Sequence, residues 1–247
     1  MISELQALAG RLKTGALSAV FPENIYCICC GDVMDPSRES GLCEACAVKL
    51  PWAFENPFEA YMDEFAFDDV WPCVRYGSHA RRIMNGLKNG GRAYMAKNIA
   101  SMLAERVQLE WRMPDAFAAV PSHRDKLRQR GFNQAELLAE ETARRLSLPY
   151  WPGLLEKVKS TGSMRMASGQ ERRSMLEGSF ETSPAYKGAL SGRFICLVDD
   201  VTTTGSTADA CARVLKASGV SRVALLCFGA SSGYKKSPEA EDEDENR

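Results

Sequence analysis

Two hydrophobic periods alternate along this chain. Short apolar runs at Val70 to Tyr76, Ala116 to Val120, Phe194 to Val198 and Arg222 to Phe228 have the length of buried strands. Between them the apolar positions spread to the helical period. His79 to Ala104 reads as helix, interrupted at Asn89-Gly90-Gly91. Gln134 to Leu146 places Ala135, Leu138, Ala139, Thr142 and Leu146 on one face, and Asn133 with Glu136 has the spacing of a capping box at its start. A further helical pattern begins at Ala208. Strands alternating with helices predict an α/β fold, a parallel sheet flanked by helices. Ligands of such sheets bind at the carboxyl ends of strands, here Val120-Pro121 and Val198-Asp199, and both ends lead into polar loops.

The second of these loops carries the densest chemistry. From Ile195 to Thr207 the chain reads ICLVDDVTTTGST, so an apolar strand ends in Asp199 and Asp200. Thr202, Thr203, Thr204, Gly205, Ser206 and Thr207 come next, before a further helix. Small hydroxyl residues and a glycine let a strand-to-helix turn wrap an anion closely, with backbone N–H groups and the helix N-terminus aimed at it. The two carboxylates suit sugar hydroxyls or a hydrated cation. No lysine comes after the glycine, which separates the loop from the G-x-x-x-x-G-K-[ST] pattern. The plainer reading is a strand–helix turn with a threonine-rich cap.

The same residues resemble the phosphoribosyl-pyrophosphate (PRPP) signature of type I phosphoribosyltransferases. The resemblance implies that Asp199 and Asp200 hold the ribose 2- and 3-hydroxyls. It puts the 5-phosphate in the loop opened by Thr202, cradled by Thr203 to Thr207.

Composition narrows the class. Hydrophobic residues make up 45% of the 247, enough for an ordinary core. No apolar run approaches the ~20 residues of a membrane span, so a soluble, cytoplasmic protein without membrane insertion is expected. Residues 1–20 mix acids and bases and read as a short amphipathic helix rather than an export signal. The net charge of −1 conceals an asymmetry, because Glu239 to Arg247 holds six acids and one base. Without that tail, 30 bases face 26 acids, and the folded part is mildly basic. The tail, 233–247, has nothing apolar to bury and is expected to be disordered.

Nine cysteines in such a protein argue for metal ligation or buried thiols. Cys27 and Cys30 form one C-x2-C knuckle, Cys43 and Cys46 a second, with twelve residues between. Gly31 eases the first turn. Four thiolates converging in this way make a closed tetrahedral Zn²⁺ site, structural rather than catalytic. An iron site of rubredoxin type uses the same ligands, and Cys29 offers a substitute for one of them. The metal compensates for a segment too small to fold alone. Cys73, Cys196, Cys211 and Cys227 fall on apolar faces and read as core. The expected layout is the N-terminal helix at 1–20, a zinc-knuckle segment and linker at 21–60, the main domain at 61–232, and the tail. In the linker, Trp52, Phe54 and Phe58 suit either base stacking or packing of the knuckle on the main domain.

The stretch VPSHRDKLRQRGFNQAELLAEETARRL, between the C-x2-C pairs and the PRPP-type loop, resembles the ComF family across about residues 20 to 230. Arg130 to Ala135 is its most specific part. The family implies a type I phosphoribosyltransferase-like domain with a small zinc-ribbon-like segment at its N-terminus. It is associated with natural competence, the uptake of single-stranded DNA. The resemblance further implies that Ser122, His123 and Arg124 meet pyrophosphate and that Lys88, in GLKNGG, serves the same ligand, with Mg²⁺ accompanying PRPP. A solvated basic loop and a helix-ending lysine are the plainer readings. Lys157 to Phe180 corresponds to a hood loop that closes over substrate. There Thr161, Arg172, Gly178 and Phe180 fit the family, while Met164 and Met175 replace its Gln and Asn. The resemblance supplies no reaction; no general base stands out, so any displacement of pyrophosphate at ribose C1 by a nitrogen nucleophile would rest on positioning and charge stabilisation. Three functions remain open: a PRPP-binding protein acting with DNA-uptake proteins, a nucleobase phosphoribosyltransferase, and a single-stranded nucleic-acid adaptor using Arg124, Lys126, Arg128 and Arg130.

Overall fold

The four apolar runs line up as one parallel sheet in the computed structural model, which describes residues 25–35, 40–53, 55–89, 94–122, 127–128, 131–159 and 175–231. In chain order the elements are α1 (Glu44–Lys49), β1 (Asp69–Arg75), α2 (Ser78–Asn89), α3 (Met95–Gln108), β2 (Ala116–Ala119) and α4 (Gln134–Leu146). Then come β3 (Leu155–Lys157), β4 (Phe180–Thr182), β5 (Phe194–Thr202), α5 (Ser206–Ala217) and β6 (Arg222–Ala230). The sheet order is β1-β6-β5-β2, with every pairing parallel. Both edges are covered: Trp52 bridges Val74 of β1, and Tyr150 bridges Phe117 of β2.

Strand alternation builds two cores. Phe194, Cys196 and Val198 face one side with Leu138 and Ala139 of α4 and Ile99 and Leu103 of α3. Ile195 and Leu197 face the other, with Cys211, Ala212 and Leu215 of α5. Helices thus lie on both faces. Cys73, Cys196, Cys211 and Cys227 are all buried, as expected of core thiols. Helix α4 spans the expected residues, and its capping differs in detail. Asn133 Oδ1 accepts from Ala135 N–H at 3.1 Å, and Glu136 meets the Asn133 side-chain amide at 3.2 Å rather than its backbone N–H.

Two expectations are corrected. β5 does not stop at Val198: it carries Asp199 and Asp200 within the strand, because Val201 and Thr202 still pair with Gly229 and Ala230 of a long β6. Lys157 and Phe180, the ends of the expected hood loop, belong to a small antiparallel hairpin of β3 and β4. Of the two readings of Phe58, stacking and packing, burial favours packing: it is 1% exposed and lies edge-on to Phe65, ring centroids 5.4 Å apart. The N-terminal helix, Phe54, His123 to Lys126, Arg130, most of the hood and the acidic tail lie outside the described residues. Among the described residues no helix is long and apolar enough to cross a membrane.

The cysteine segment is part of the first core. Cys27, Ile28, Cys29, Leu42 and Cys46 pack in the same cluster as Ile83, Met84 and Leu87 of α2. Gly41 backs onto α3 so closely that a Cβ there would overlap the Asn98 amide. Its carbonyl accepts from Ile28 N–H at 2.9 Å.

Candidate functional site

With α4 on one face and α5 on the other, the chain changes side between β2 and β5, and crevices at such switch points are where doubly wound sheets bind ligands. β2 ends at Ala119, so beyond Val198 the backbone of β5 has no strand beside it on that side. The acids answer this locally. Asp199 Oδ1 accepts from Asp200 N–H at 2.8 Å, and Asp200 Oδ1 accepts from Val201 N–H at 2.6 Å.

Because the acids sit in a strand, they face opposite sides of the sheet. Asp200 meets Lys88 of α2, with Nζ 2.5 Å from Oδ2. Sequence reading placed Lys88 and Asp200 at one ligand without pairing them, and the structure joins the two directly although they lie far apart in the chain. Asp199 keeps partial surface exposure, yet burial of its carboxyl and then the adjacent Asp200 charge push it up to about 8. The Asp200 N–H and the Lys88 charge oppose that rise without cancelling it.

The Thr202–Thr207 loop continues from these acids into α5. Thr202 is buried, Thr203 is exposed, and Thr204 Oγ1 lies 2.9 Å from Ser206 Oγ. Ser206 and Thr207 open the helix, so their N–H groups point out of its first turn. Gly205 adopts φ +70°, and a Cβ there would lie 3.1 Å from Cε1 of Phe65 and 3.3 Å from Cζ of Phe67. The loop therefore rests on stacked aromatics, Phe65 and Phe67, whose centroids are 4.6 Å apart. Asp209, 2% exposed, secures this backing: Oδ1 accepts from Ala66 N–H at 2.8 Å and Oδ2 pairs with Arg213 at 3.1 Å. No short-range pattern marks Asp209, because its partner lies 143 residues away. Gly205→Ala is expected to cost about 1–2 kcal/mol from the left-handed backbone alone, more with the ring contact. Thermal unfolding measures it; an unchanged midpoint would mean the loop does not rest on the rings.

On the β2 side, Ser122 donates from Oγ to Asn133 Oδ1 at 2.9 Å, and the Asn133 amide donates to Val120 O at 3.1 Å. The cap of α4 thus holds the end of β2 beside the acids. Of the basic loop only Leu127 and Arg128 are described, and Arg128 is exposed.

Cys27, Cys30, Cys43 and Cys46 bring their sulfurs within 4.8 Å of one another. The Cys30 and Cys43 sulfurs are 3.7 Å apart, the edge of a tetrahedron with ~2.3 Å metal–sulfur bonds. Gly31 has φ +83°, and its N–H donates to Cys27 O at 2.9 Å to close the knuckle. Burial pushes the Cys27 thiol up, but N–H groups of Cys43, Cys30 and Cys29 outweigh it and bring it down to about 7. Burial raises the thiols of Cys46 and Cys29. Cys29 stays outside the group of four. The donor set could hold zinc.

The chain is 34% identical to competence protein F of Haemophilus influenzae over 112 residues, 45% of this chain and 48% of that protein. The resemblance to the ComF family is borne out. The chain is also 30% identical to the DNA utilization protein YhgH of Escherichia coli O157:H7 over 116 residues, 47% of this chain and 49% of the other. It spans about half the length of the curated relatives it matches. No protein-family model matches. Among solved structures, the glutamine PRPP amidotransferase of B. subtilis superposes with a TM-score of 0.37 at 23% identity, covering 56% of this chain and 26% of that one.

Proposed function

We propose that this ComF relative is a cytoplasmic phosphoribosyltransferase-like protein that binds PRPP or a related phosphoribosyl ligand and serves DNA uptake or DNA processing. One observation carries the reading. At the carboxyl end of β5, two adjacent acids, one of them paired with a lysine, and a threonine-rich loop opening a helix follow one another. Helix N-termini favour phosphate, and carboxylates favour vicinal hydroxyls, so a sugar phosphate satisfies both halves. Competence and DNA utilization are what the relatives' names supply, and they point to the cellular role.

In this reading Thr203 to Thr207 hold the 5-phosphate, Asp199 and Asp200 take the ribose hydroxyls, and Ser122, His123 and Arg124 meet the pyrophosphate. Lys88, paired with Asp200 in the free chain, turns in this reading to a phosphate when the sugar arrives. Mg²⁺ bound with the ligand would neutralise the pyrophosphate charge. If transfer occurs, a nitrogen nucleophile bonds to ribose C1 as the C1–O bond breaks and pyrophosphate leaves with the electron pair. The chain's contribution is position and charge stabilisation. The four thiolates would hold a structural zinc.

Calorimetry with PRPP and Mg²⁺ should show one saturable binding event per chain. Pyrophosphate release on adding nucleobases separates an enzyme from a binding protein. A chain that takes up no PRPP overturns the reading.

A further inference from the structure

Three strand ends stand in a row at the carboxyl edge of the sheet. Thr202 of β5 pairs with Ala230 of β6, and Ala230 pairs with Arg75 of β1. Neighbouring strands lie about 5 Å apart, so Arg75 is two steps, about 10 Å, from the start of the Thr202–Thr207 loop. A cleft of about 310 Å³ opens at the outer end of this row, with Arg75 and Ala230 in its lining. Trp52, Pro57 and Pro72 give it apolar walls, and Glu55 and Asn56 add polar groups. The indole is firmly held. Ala53 N–H donates to Cys73 O at 2.9 Å and Arg75 N–H to Pro51 O at 2.8 Å, which fastens residues 51–53 to β1. Trp52 Nε1 donates to Ala47 O at 2.9 Å, so the ring, 37% exposed, has only apolar surface left to offer. Asn56 Oδ1 accepts from Phe58 N–H at 2.9 Å, which leaves the amide N–H groups as donors. Arg75 contributes further donors and Glu55 an acceptor, and both are exposed.

We infer that this cleft takes the nucleobase of a nucleotide whose phosphate lies in the Thr202–Thr207 loop. The inference rests on the phosphoribosyl reading of that loop and names what the sugar carries at C1, a planar nitrogen heterocycle with ring carbonyls. Flat apolar walls match ring faces, and an anchored indole is a stacking surface that any base can use. The polar groups select the edge. Ring carbonyls accept from Arg75 and the Asn56 amide, and a ring N–H donates to Glu55. Bases of the guanine and uracil type carry both kinds of group. The strand order β1-β6-β5-β2 sets the cleft across β5 from Ser122, where the same reading puts pyrophosphate. Base and pyrophosphate thus approach ribose C1 from opposite sides, as an exchange of one for the other at that carbon needs. Loop and cleft also share one support. Pro57 precedes Phe58, whose ring meets Phe65, and Phe65 backs Gly205 of the loop.

Calorimetry on the full chain compares ribose 5-phosphate with guanosine 5′-monophosphate. The natural chain should bind the nucleotide about tenfold more tightly, the scale of one base stacked on an aromatic side chain. Trp52→Ala should remove most of that advantage and leave ribose 5-phosphate binding as it was. Trp52→Phe, which keeps a ring, should restore the advantage in part. Arg75→Ala alters no backbone bond and keeps the test decisive where Trp52→Ala does not fold. It should weaken nucleotide binding about threefold to tenfold, the worth of a hydrogen bond to a charged group, with ribose 5-phosphate again unaffected. Equal affinities for the two probes in the natural chain, or an advantage undiminished in every folded variant, overturn the inference while the phosphoribosyl reading stands. A natural chain that binds neither probe overturns both.

Discussion

Cys30→Ser is expected to strip the metal from the knuckles and to lower the melting temperature of the whole chain by ten degrees or so. A structural zinc in a four-cysteine peptide contributes about 10–16 kcal/mol of apparent folding free energy at neutral pH. Three remaining thiolates keep only part of that. The loss spreads because Cys27, Ile28, Cys29, Leu42 and Cys46 pack with Ile83, Met84 and Leu87. A chain of this size loses about 2–4 °C per kcal/mol, so a few kcal/mol transmitted through that cluster gives the expected shift. Metal analysis should find about one zinc per natural chain and a small fraction of that in the variant. Neither zinc nor iron near one equivalent in the natural chain would refute the assignment.

The second large effect is at the acids. Asp199→Asn with Asp200→Asn should weaken PRPP binding by about 10-fold or more at neutral pH, because a lost charge-assisted hydrogen bond to Asp200 is worth about 1.5–3 kcal/mol, while Asp199 is largely protonated there. Stability separates this from misfolding. Folding lifts the Asp199 carboxyl from 3.8 to about 8, so between those values the folded chain keeps a proton that the unfolded chain releases. Stability therefore falls as pH rises through that window and levels off above it. Asp199→Asn alone removes the burden and should raise stability at pH 8 by on the order of 2 kcal/mol, with little gain at pH 4. Urea unfolding at the two pH values checks it. Equal PRPP affinity in the natural and doubly substituted chains would make the acids structural only. A gain that is no larger at pH 8 than at pH 4 would show that Asp199 ionises normally.

Local signals were legible and long-range ones were not. The helix Gln134 to Leu146 could be read because its cap and its apolar stripe agree within a single stretch of sequence. The four metal-spaced cysteines were equally plain, since each knuckle is encoded in four residues. β3 and β4 were missed because three-residue strands with Glu156, Lys157 and Glu181 offer no apolar run. The continuation of β5 through Asp199 and Asp200 was missed for a related reason. Two acids look like a strand's end unless the partner strand is known to run alongside them, and that knowledge lies in β6. The candidate site divides in the same way. Its loop was readable in ICLVDDVTTTGST, whereas the Lys88–Asp200 pair and the Asp209 anchor join residues more than 100 positions apart.

The glycine at position 41 bears on how freely this protein can be rebuilt. Knuckle segments are attractive cassettes for exchange between proteins, since their ligands are local and their metal folds them. Here the segment's backbone lies where any side chain at position 41 would collide with Asn98 of α3. A donor segment carrying even alanine at that point would have to tilt away, pulling Ile28 and Leu42 out of the core they share with α2. Grafts into this scaffold should therefore succeed only when they bring a glycine at this position, or a smaller residue in place of Asn98, whatever their affinity for zinc.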